Sequence, residues 1–206
     1  MEFKIVVVGA LETNCYLVSC EETHECAVVD PGGEPNKIFT SIDEKSLKPV
    51  VILNTHGHID HIGANRDMKE RYSIPLRIHA SDSYMLGNVQ QSELSFFLQT
   101  KSSPPADSFF KDGDTITIGN SHLRVIHTPG HSPGSVSFLG DGFLLSGDSL
   151  FCRGVGRTDL PGGSWEEMEN SIRNKILALP KEMIVLPGHG PSTSVAQEKR
   201  LNPFIR

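Results

Sequence analysis

Residues 50–63 read Val-Val-Ile-Leu-Asn-Thr-His-Gly-His-Ile-Asp-His-Ile-Gly, which gathers three imidazoles and a carboxylate into positions 56–61. The opening run Val50–Leu53 is rich in β-branched residues and is typical of a buried strand. Gly57 and Gly63 bracket a turn into the following helical stretch. The histidine-rich cluster is therefore expected at the carboxyl end of a strand.

The cluster carries the donor atoms of a metal site. In an extended turn His56 and His58 point the same way, while Asp60 and His61 begin the next element and face a second point nearby. Imidazole nitrogen and carboxylate oxygen suit a borderline divalent ion such as zinc, and a catalytic zinc needs three protein ligands plus a position for water. One loop can contribute to two metal ions, but the remaining ligands must come from elsewhere.

Three positions downstream qualify as the missing ligands. His131 and His189 each follow a Pro-Gly pair, where small residues leave room for close approach. Asp148 follows the apolar run Phe143–Leu145, and its carboxylate has the two oxygens needed to bridge two metals. With these three residues the donor set for two ions is complete.

The sequence resembles the metallo-β-lactamase-fold hydrolases, whose motif His-x-His-x-Asp-His is matched by residues 56–61. This resemblance implies an α+β protein with the four-layer αβ/βα sandwich of that fold. It also implies two divalent metal ions per chain, zinc by donor type, with iron or manganese as the alternatives. The implied ligands are His56, His58 and His131 for one ion, Asp60, His61 and His189 for the other, and Asp148 as the bridge.

The resemblance extends to the small, single-domain type II glyoxalase-like proteins, which are thioesterases acting on hydroxyacylglutathione. It rests further on Asn14–Val18, on the stretch 156–163 and on the stretch 187–193. Longer glyoxalases carry a C-terminal helical extension that contacts glutathione, whereas this chain ends at Arg206. We therefore assign no glutathione-binding residue to this sequence.

The metal pair supports a hydrolytic mechanism. Two ions sharing a water would lower the pKa of that water toward about 7, which makes hydroxide available near neutral pH. The bridging hydroxide would be the nucleophile and Asp60 would orient it. A thioester needs the least further help, because a thiolate leaves without prior protonation far more readily than an amine. The expected reaction is hydrolysis of hydroxyacylglutathione-type or related thioesters.

Three other functions remain open on the sequence. A persulfide dioxygenase of the same superfamily shares much of the ligand pattern but uses a single iron ion and oxygen. A lactonase or β-lactamase-type hydrolase would use the same metals on a cyclic substrate. A non-catalytic, metal-stabilised binding module would require that Asp148 or His189 lie away from the cluster.

Composition narrows the class of protein. Hydrophobic residues make up 37% and charged residues 21% of the 206 positions, which is ordinary for a globular protein, and we expect a single domain over residues 1–206. The net charge of -6 and the lack of a Lys/Arg cluster argue against nucleic acid as a partner. The apolar run 5–8 is too short for a signal peptide or a membrane span, so we expect a cytoplasmic protein with a small-molecule thioester as its partner.

Several residues have two interpretations each. Asp30 ends a strand and either turns the chain or accepts the second N–H of a ligand histidine. Arg157 forms an ion pair with Asp159 or contacts an anionic substrate. The four cysteines form no CxxC pair. We expect Cys152 and the other three to be packed, reduced thiols.

The remaining chain predicts sheet with a few helices. Residues 62–72 are expected to be one helix, Ser164 and Ser194 are expected to cap two further helices, and 154–163 is expected to be a glycine loop. The stretch 87–112 loses periodicity and is interpreted as a lid or insertion.

Overall fold

Two β-sheets stack face to face, and the computed structural model describes them over residues 1–87 and 102–205. The first sheet contains, in spatial order, β1 (Glu2–Val8), β2 (Thr13–Ser19), β3 (Glu25–Val29), β4 (Lys48–Leu53), β5 (Leu76–His79) and β6 (Ser108–Phe110). The second contains, in spatial order, β14 (Thr193–Ser194), β13 (Ile184–Pro187), β10 (Phe143–Gly147), β9 (Val136–Leu139), β8 (Ser121–His127) and β7 (Thr115–Ile118). A short hairpin joins β11 (Leu150–Phe151) to β12 (Gly154–Val155).

Strand direction decides where the loops meet. β1, β2 and β3 pair antiparallel, as expected for the first strands, whereas β3 to β6 pair parallel. In the second sheet β10 and β13 are also parallel. Parallel strands place their carboxyl ends at the same edge of a sheet. The loop after β4 leaves the first sheet at that edge, and the loops after β10 and β13 leave the second sheet together, so these three loops can meet.

Helices cover the outer face of each sheet. The helices are α1 (Pro35–Glu44), α2 (Ile59–Ile62), α3 (Asn65–Tyr72), α4 (Ser83–Gly87), α5 (Trp165–Ser171), which continues as a π-helix over Ile172–Ile176, and α6 (Val195–Leu201). Ile38, Ile42 and Met68 pack under α1 and α3 against the first sheet. Met168 and Ile172 pack against the second sheet. The predicted α+β architecture with layers of helix, sheet, sheet and helix is confirmed.

The central core lies between the sheets. Leu53 and Val29 from the first sheet meet Phe138 and Leu145 from the second, and all four are buried. The ring of Phe110 packs edge-on against Phe138 with centroids 5.4 Å apart. This core fixes the separation of the two sheets and so the separation of the loops at their edges.

Both predicted serine caps are present. The Ser164 hydroxyl accepts the Glu167 N–H at 3.3 Å and starts α5, and the Ser194 hydroxyl accepts the Gln197 N–H at 3.2 Å and starts α6. Each cap satisfies a backbone donor that the first helical turn leaves free.

Three local predictions were wrong in part. The helix expected over 62–72 is broken into α2 and α3, because the Ala64 N–H bonds the Pro31 carbonyl at 2.8 Å instead of a helical partner. The glycine loop expected at 154–163 begins as strand β12. Within the predicted lid at 87–112, residues 108–110 form strand β6 with Phe110 in the core, and residues 88–101 lie outside the described part.

The remaining histidines and cysteines behave as structural residues. His79 stacks on His127 with centroids 4.4 Å apart. All four cysteines are free, and the Cys152 sulfur accepts an N–H from Gln197 at 3.7 Å. Within residues 1–87 and 102–205, no helix is long and apolar enough to cross a bilayer.

The inter-sheet core yields a stability prediction. Phe138→Ala should lower the free energy of unfolding by about 3–5 kcal/mol, because it removes a fully buried ring and leaves a cavity between the sheets. Phe204→Ala is the matched control, since that ring is 53% exposed and should contribute little. Urea unfolding measures the free energy of unfolding of both variants. Equal destabilisation of the two would show that Phe138 does not belong to the core.

Candidate metal centre

The first group of side chains that could hold a metal ion comes from two loops. His56 and His58 follow β4, and His131 lies in the turn between β8 and β9. One nitrogen of each lies within 4.8 Å of the others. Nδ1 of His58 is 2.8 Å from Nε2 of His131. The three histidines therefore face one point, as the sequence predicts.

A second group lies beside the first. Asp60 and His61 belong to α2, and His189 follows β13, with one donor atom of each within 4.8 Å of the others. Nε2 of His189 is 3.2 Å from Nε2 of His61 and 3.2 Å from Oδ2 of Asp60. This group also matches its predicted membership.

Asp148 lies between the two groups. Its Oδ2 is 3.5 Å from Nε2 of His131 in the first group and 3.6 Å from Nε2 of His189 in the second. Its Oδ1 is 3.4 Å from Nε2 of His61. One carboxylate thus reaches donors of both groups, which is the arrangement that a bridging ligand requires. The structure brings all seven predicted residues together, and their binding of metal stays a prediction.

Hydrogen bonds behind the rings fix which nitrogen of each histidine faces the centre. Nδ1 of His61 lies 3.0 Å from Asp30 Oδ2, Nδ1 of His131 lies 2.7 Å from the Arg157 carbonyl, and Nδ1 of His189 lies 2.9 Å from the Leu11 carbonyl. These oxygens only accept hydrogen bonds, so each Nδ1 carries the proton and each Nε2 keeps its lone pair.

His56 reaches the same state through a hydroxyl. The Thr55 hydroxyl donates to Asp30 Oδ2 at 2.6 Å, so its oxygen accepts from Nδ1 of His56 at 3.0 Å. The Nε2 lone pair of His56 therefore points into the centre. Second partners of this kind orient metal-binding histidines and select their tautomer.

Unpartnered polar atoms at the centre show that the seven residues fit a pair of cations. Within the described ranges, His56 Nε2 and Asp148 Oδ1 are buried side-chain atoms with no hydrogen-bond partner. In the neutral tautomers the Nε2 lone pairs of His61 and His189 also face each other at 3.2 Å, so that a proton or a cation is needed between them. Such an arrangement is costly unless a cation accepts the lone pairs, and imidazole and carboxylate are the donors that zinc or iron prefers.

Electrostatics lead to the same conclusion. Burial, together with the neighbouring His131, lowers the pKa of the His58 imidazole to about 3. Burial also disfavours charge on His61, but the surrounding carboxylates, Asp148 first, outweigh it and raise the pKa of His61 to about 10. The carboxylate side of the centre therefore attracts positive charge, which a divalent cation would provide.

Asp30 accepts the second ring N–H of His61, which is one of the two interpretations that its sequence position allowed. It is buried and accepts the Thr55 N–H at 2.7 Å, the Thr55 hydroxyl and the ring N–H of His61. Its φ of 50° turns the chain at the same time. Asp30 is therefore both the turn residue and the residue that fixes the His61 tautomer.

A second buried carboxylate, Asp82, joins two of the loops. Its oxygens accept the Gly57 N–H at 3.0 Å, the Gly134 N–H at 2.6 Å and the Ser132 hydroxyl at 2.6 Å. Gly57 lies inside the histidine motif, and Ser132 directly follows a ligand position. No motif marks Asp82 in the sequence, since these partners are 25 and 50 or more residues away along the chain.

The C-terminal ligand loop is held by the N-terminal sheet. The Asn14 side chain donates to the carbonyls of Pro187 and Gly190, each at 2.9 Å, and the Tyr16 hydroxyl donates to the Pro187 carbonyl at 2.6 Å. These contacts give the Asn14–Val18 motif a role in positioning the loop of His189.

A cleft of about 570 Å³ opens onto the centre. Its lining includes the ligand positions His58, Asp60, His131, Asp148 and His189. At its rim Arg157 forms the predicted ion pair, donating from Nε and Nη2 to the two carboxylate oxygens of Asp159 at 2.8 Å each. The centre is therefore open to a small molecule.

The buried contacts of Asp30 yield a prediction about metal affinity. In Asp30→Asn an amide N–H would face one of the three groups that now donate to the carboxylate, which are the Thr55 N–H, the Thr55 hydroxyl and the His61 ring N–H. Because the His61 ring is then held less firmly, metal binding should weaken by roughly 10- to 100-fold. Competition titration of the apoprotein with a chelating dye measures the affinity, and thermal unfolding checks that the variant folds. Asp43→Asn is the control, because Asp43 is exposed and bonds only the surface residue Arg71 among the contacts described. Equal affinities in the two variants would contradict the role of Asp30.

Known proteins share both the sequence and the fold. The family model for the metallo-beta-lactamase superfamily matches residues 8–189. The probable metallo-hydrolase YqgX of Bacillus subtilis is 39% identical over 208 residues, covering 100% of this chain and 98% of the relative. The hydroxyacylglutathione hydrolase GloC of Haemophilus influenzae is 34% identical over 209 residues, with the same coverage of 100% and 98%.

Two crystal structures superpose over nearly the whole chain. BLEG-1, described as a B3 metallo-beta-lactamase, has 39% identity and a TM-score of 0.92, with 99% of each chain covered. TTHA1623 in a di-iron-bound form has 35% identity and a TM-score of 0.89, with coverage of 98% and 99%. On the family match, the full-length relatives and the converging His/Asp groups, this chain is a metallo-hydrolase that belongs to the metallo-beta-lactamase superfamily.

Proposed function

We propose that this protein hydrolyses thioesters, of the hydroxyacylglutathione type or related to it, with two metal ions at the centre described above. The observation that carries the proposal is the shared carboxylate of Asp148 between two three-residue donor groups at the base of an open cleft. The similarity to GloC, a hydroxyacylglutathione hydrolase, over the full length of both chains supports the substrate class.

Two ions are favoured over one. A mononuclear iron centre, as in a persulfide dioxygenase, needs one of the groups only. Here a second group is present, in which one donor atom each of Asp60, His61 and His189 lies within 4.8 Å of the others. The Nδ1 atoms of its two histidines also make hydrogen bonds that turn Nε2 toward the centre. The similarity to a protein crystallised with two irons agrees with a dinuclear centre.

The chemistry divides between the ions and the chain. When bound, the ions would act as Lewis acids and provide an activated water near neutral pH. The chain holds Nε2 of four histidines toward the centre, and Thr13 donates to Asp60 Oδ2 at 3.4 Å, which fixes the carboxylate that we assign to orienting the nucleophile. In the overall reaction a water oxygen bonds to the carbonyl carbon, the C–S bond breaks and the thiolate takes up a proton.

Hydrolysis of a β-lactam is the second candidate. The observation in its favour is the likeness to BLEG-1 at 39% identity, as a B3 metallo-beta-lactamase. An amide nitrogen is a poorer leaving group than a thiolate and requires protonation, so the thioester remains our first choice. Both reactions would use the same centre.

The metal and the setting are also proposals. Donor type favours zinc, and the di-iron form of TTHA1623 keeps iron as an alternative beside manganese. We propose a cytoplasmic enzyme acting on a small molecule without nucleic acid or a membrane, in line with its net charge of -6. Arg157 is proposed as a weak substrate contact, because its guanidinium lines the cleft but already bonds Asp159.

A substrate panel tests the proposal. Purified protein of measured metal content should hydrolyse S-lactoylglutathione or another thioester faster than a β-lactam, a lactone or glutathione persulfide. Release of free thiol, followed with a thiol reagent, measures thioester hydrolysis, absorbance measures opening of the β-lactam ring, acid release measures lactone hydrolysis, and oxygen uptake measures persulfide oxidation. Consumption of the persulfide alone, with oxygen uptake and one iron per chain, would replace the proposed function by a dioxygenase.

Variants at the centre test the residues. His56→Ala and Asp148→Ala should each lower turnover by at least about 100-fold and reduce the bound metal, because each removes a buried donor atom. His122→Ala is the control, since His122 lies exposed on β8 away from the cleft. Metal analysis and circular dichroism accompany the rates. Full activity in either ligand variant would remove that residue from the centre.

A further inference from the structure

The wall of the cleft beside the metal centre is apolar. Five of its side chains carry no polar atom, and they are Leu11, Ile59, Phe151, Val155 and Leu160. None of the five is fully buried, and Leu11 is 43% exposed. An apolar side chain that keeps part of its surface in water at a cleft gains free energy when a ligand covers it.

The wall is built on the same segments that hold the ligand histidines. The Leu11 carbonyl accepts the N–H of His189, and the ring of Phe151 lies 6.1 Å from the ring of His189. Ile59 lies between two ligand positions in the chain. Val155 pairs with Leu150 in the short hairpin. The apolar surface is therefore fixed in place next to the reacting position.

The charge at the rim is compensated. Arg157 is the cation that lines the cleft within the described residues, and both of its bonds to Asp159 are made. A carboxylate on the substrate would have to compete with Asp159 for this guanidinium. A substrate arm with free carboxylates thus meets a largely apolar wall and a neutralised ion pair.

We infer that this wall binds an uncharged, apolar arm of the substrate, so that kcat/KM rises with the length of that arm when the other arm of the thioester is held constant. The inference rests on the proposed thioester hydrolysis and adds the substrate class to it. It applies to the acyl arm or to the thiol arm, and the experiment below separates the two.

Two series of uncharged thioesters test the inference. In the first series the acyl group grows from acetyl to butyryl to hexanoyl on N-acetylcysteamine. In the second, acetyl thioesters carry ethanethiol, butanethiol or hexanethiol. In one series kcat/KM should rise roughly two- to fourfold per methylene, as expected for burial of CH₂ groups on the wall. The series that rises identifies the arm. No dependence on length in either series would overturn the inference.

A variant pair ties the effect to the wall. Leu160→Ser should flatten the rising series by at least about twofold per methylene. Val7→Ser is the matched control, because Val7 is 48% exposed on β1 and does not line the cleft. An unchanged slope in Leu160→Ser would contradict the assignment of the subsite to this wall.

A binding measurement separates failure of the inference from failure of the proposed function. Hydrolytically inert alkyl thioethers of increasing length are titrated into the metal-loaded protein by calorimetry. Binding that tightens with length in the wild type and in Val7→Ser, but less in Leu160→Ser, supports the apolar subsite even if no thioester is hydrolysed. Binding that is independent of length would overturn the inference even if thioesters are hydrolysed.

Discussion

The close packing of imidazole nitrogens and carboxylates around one point is the constraint on which this structure depends. Nitrogens of His58 and His131 approach to 2.8 Å, and those of His61 and His189 approach to 3.2 Å. Two bare lone pairs repel each other at these distances, so each pair of nitrogens needs a proton or a metal cation between them. The parallel strands, the inter-sheet core and the rear hydrogen bonds keep these groups together against their mutual repulsion and loss of solvent.

The convergence of the seven side chains could be predicted from the sequence because the His and Asp residues are concentrated in short motifs. The histidine motif at 56–61 and the Pro-Gly-His pairs identify ligands by type and spacing, and the strands before them are apolar runs. Asp82 escaped notice because its partners are remote in sequence and an isolated aspartate has no spacing to detect. The break between α2 and α3 was missed for a similar reason, since it depends on the carbonyl of Pro31.

The edge strand β6 shows another limit of prediction from sequence patterns. Residues 108–110 follow a stretch without periodicity, so their three residues have too little alternation to indicate a strand. Their register beside β5 and the burial of Phe110 depend on tertiary contacts with the second sheet. Short edge strands are specified by the core that they cover more than by local preference.

The attachment of the last ligand loop to β2 has a consequence for biosynthesis. The residues that hold this loop, Asn14 and Tyr16, are synthesised 173 and 171 residues before their partner Pro187. The members of the first group, His56, His58 and His131, all precede His189 in the chain. The second group therefore gains its third member only after His189 has been synthesised and its loop has docked against β2.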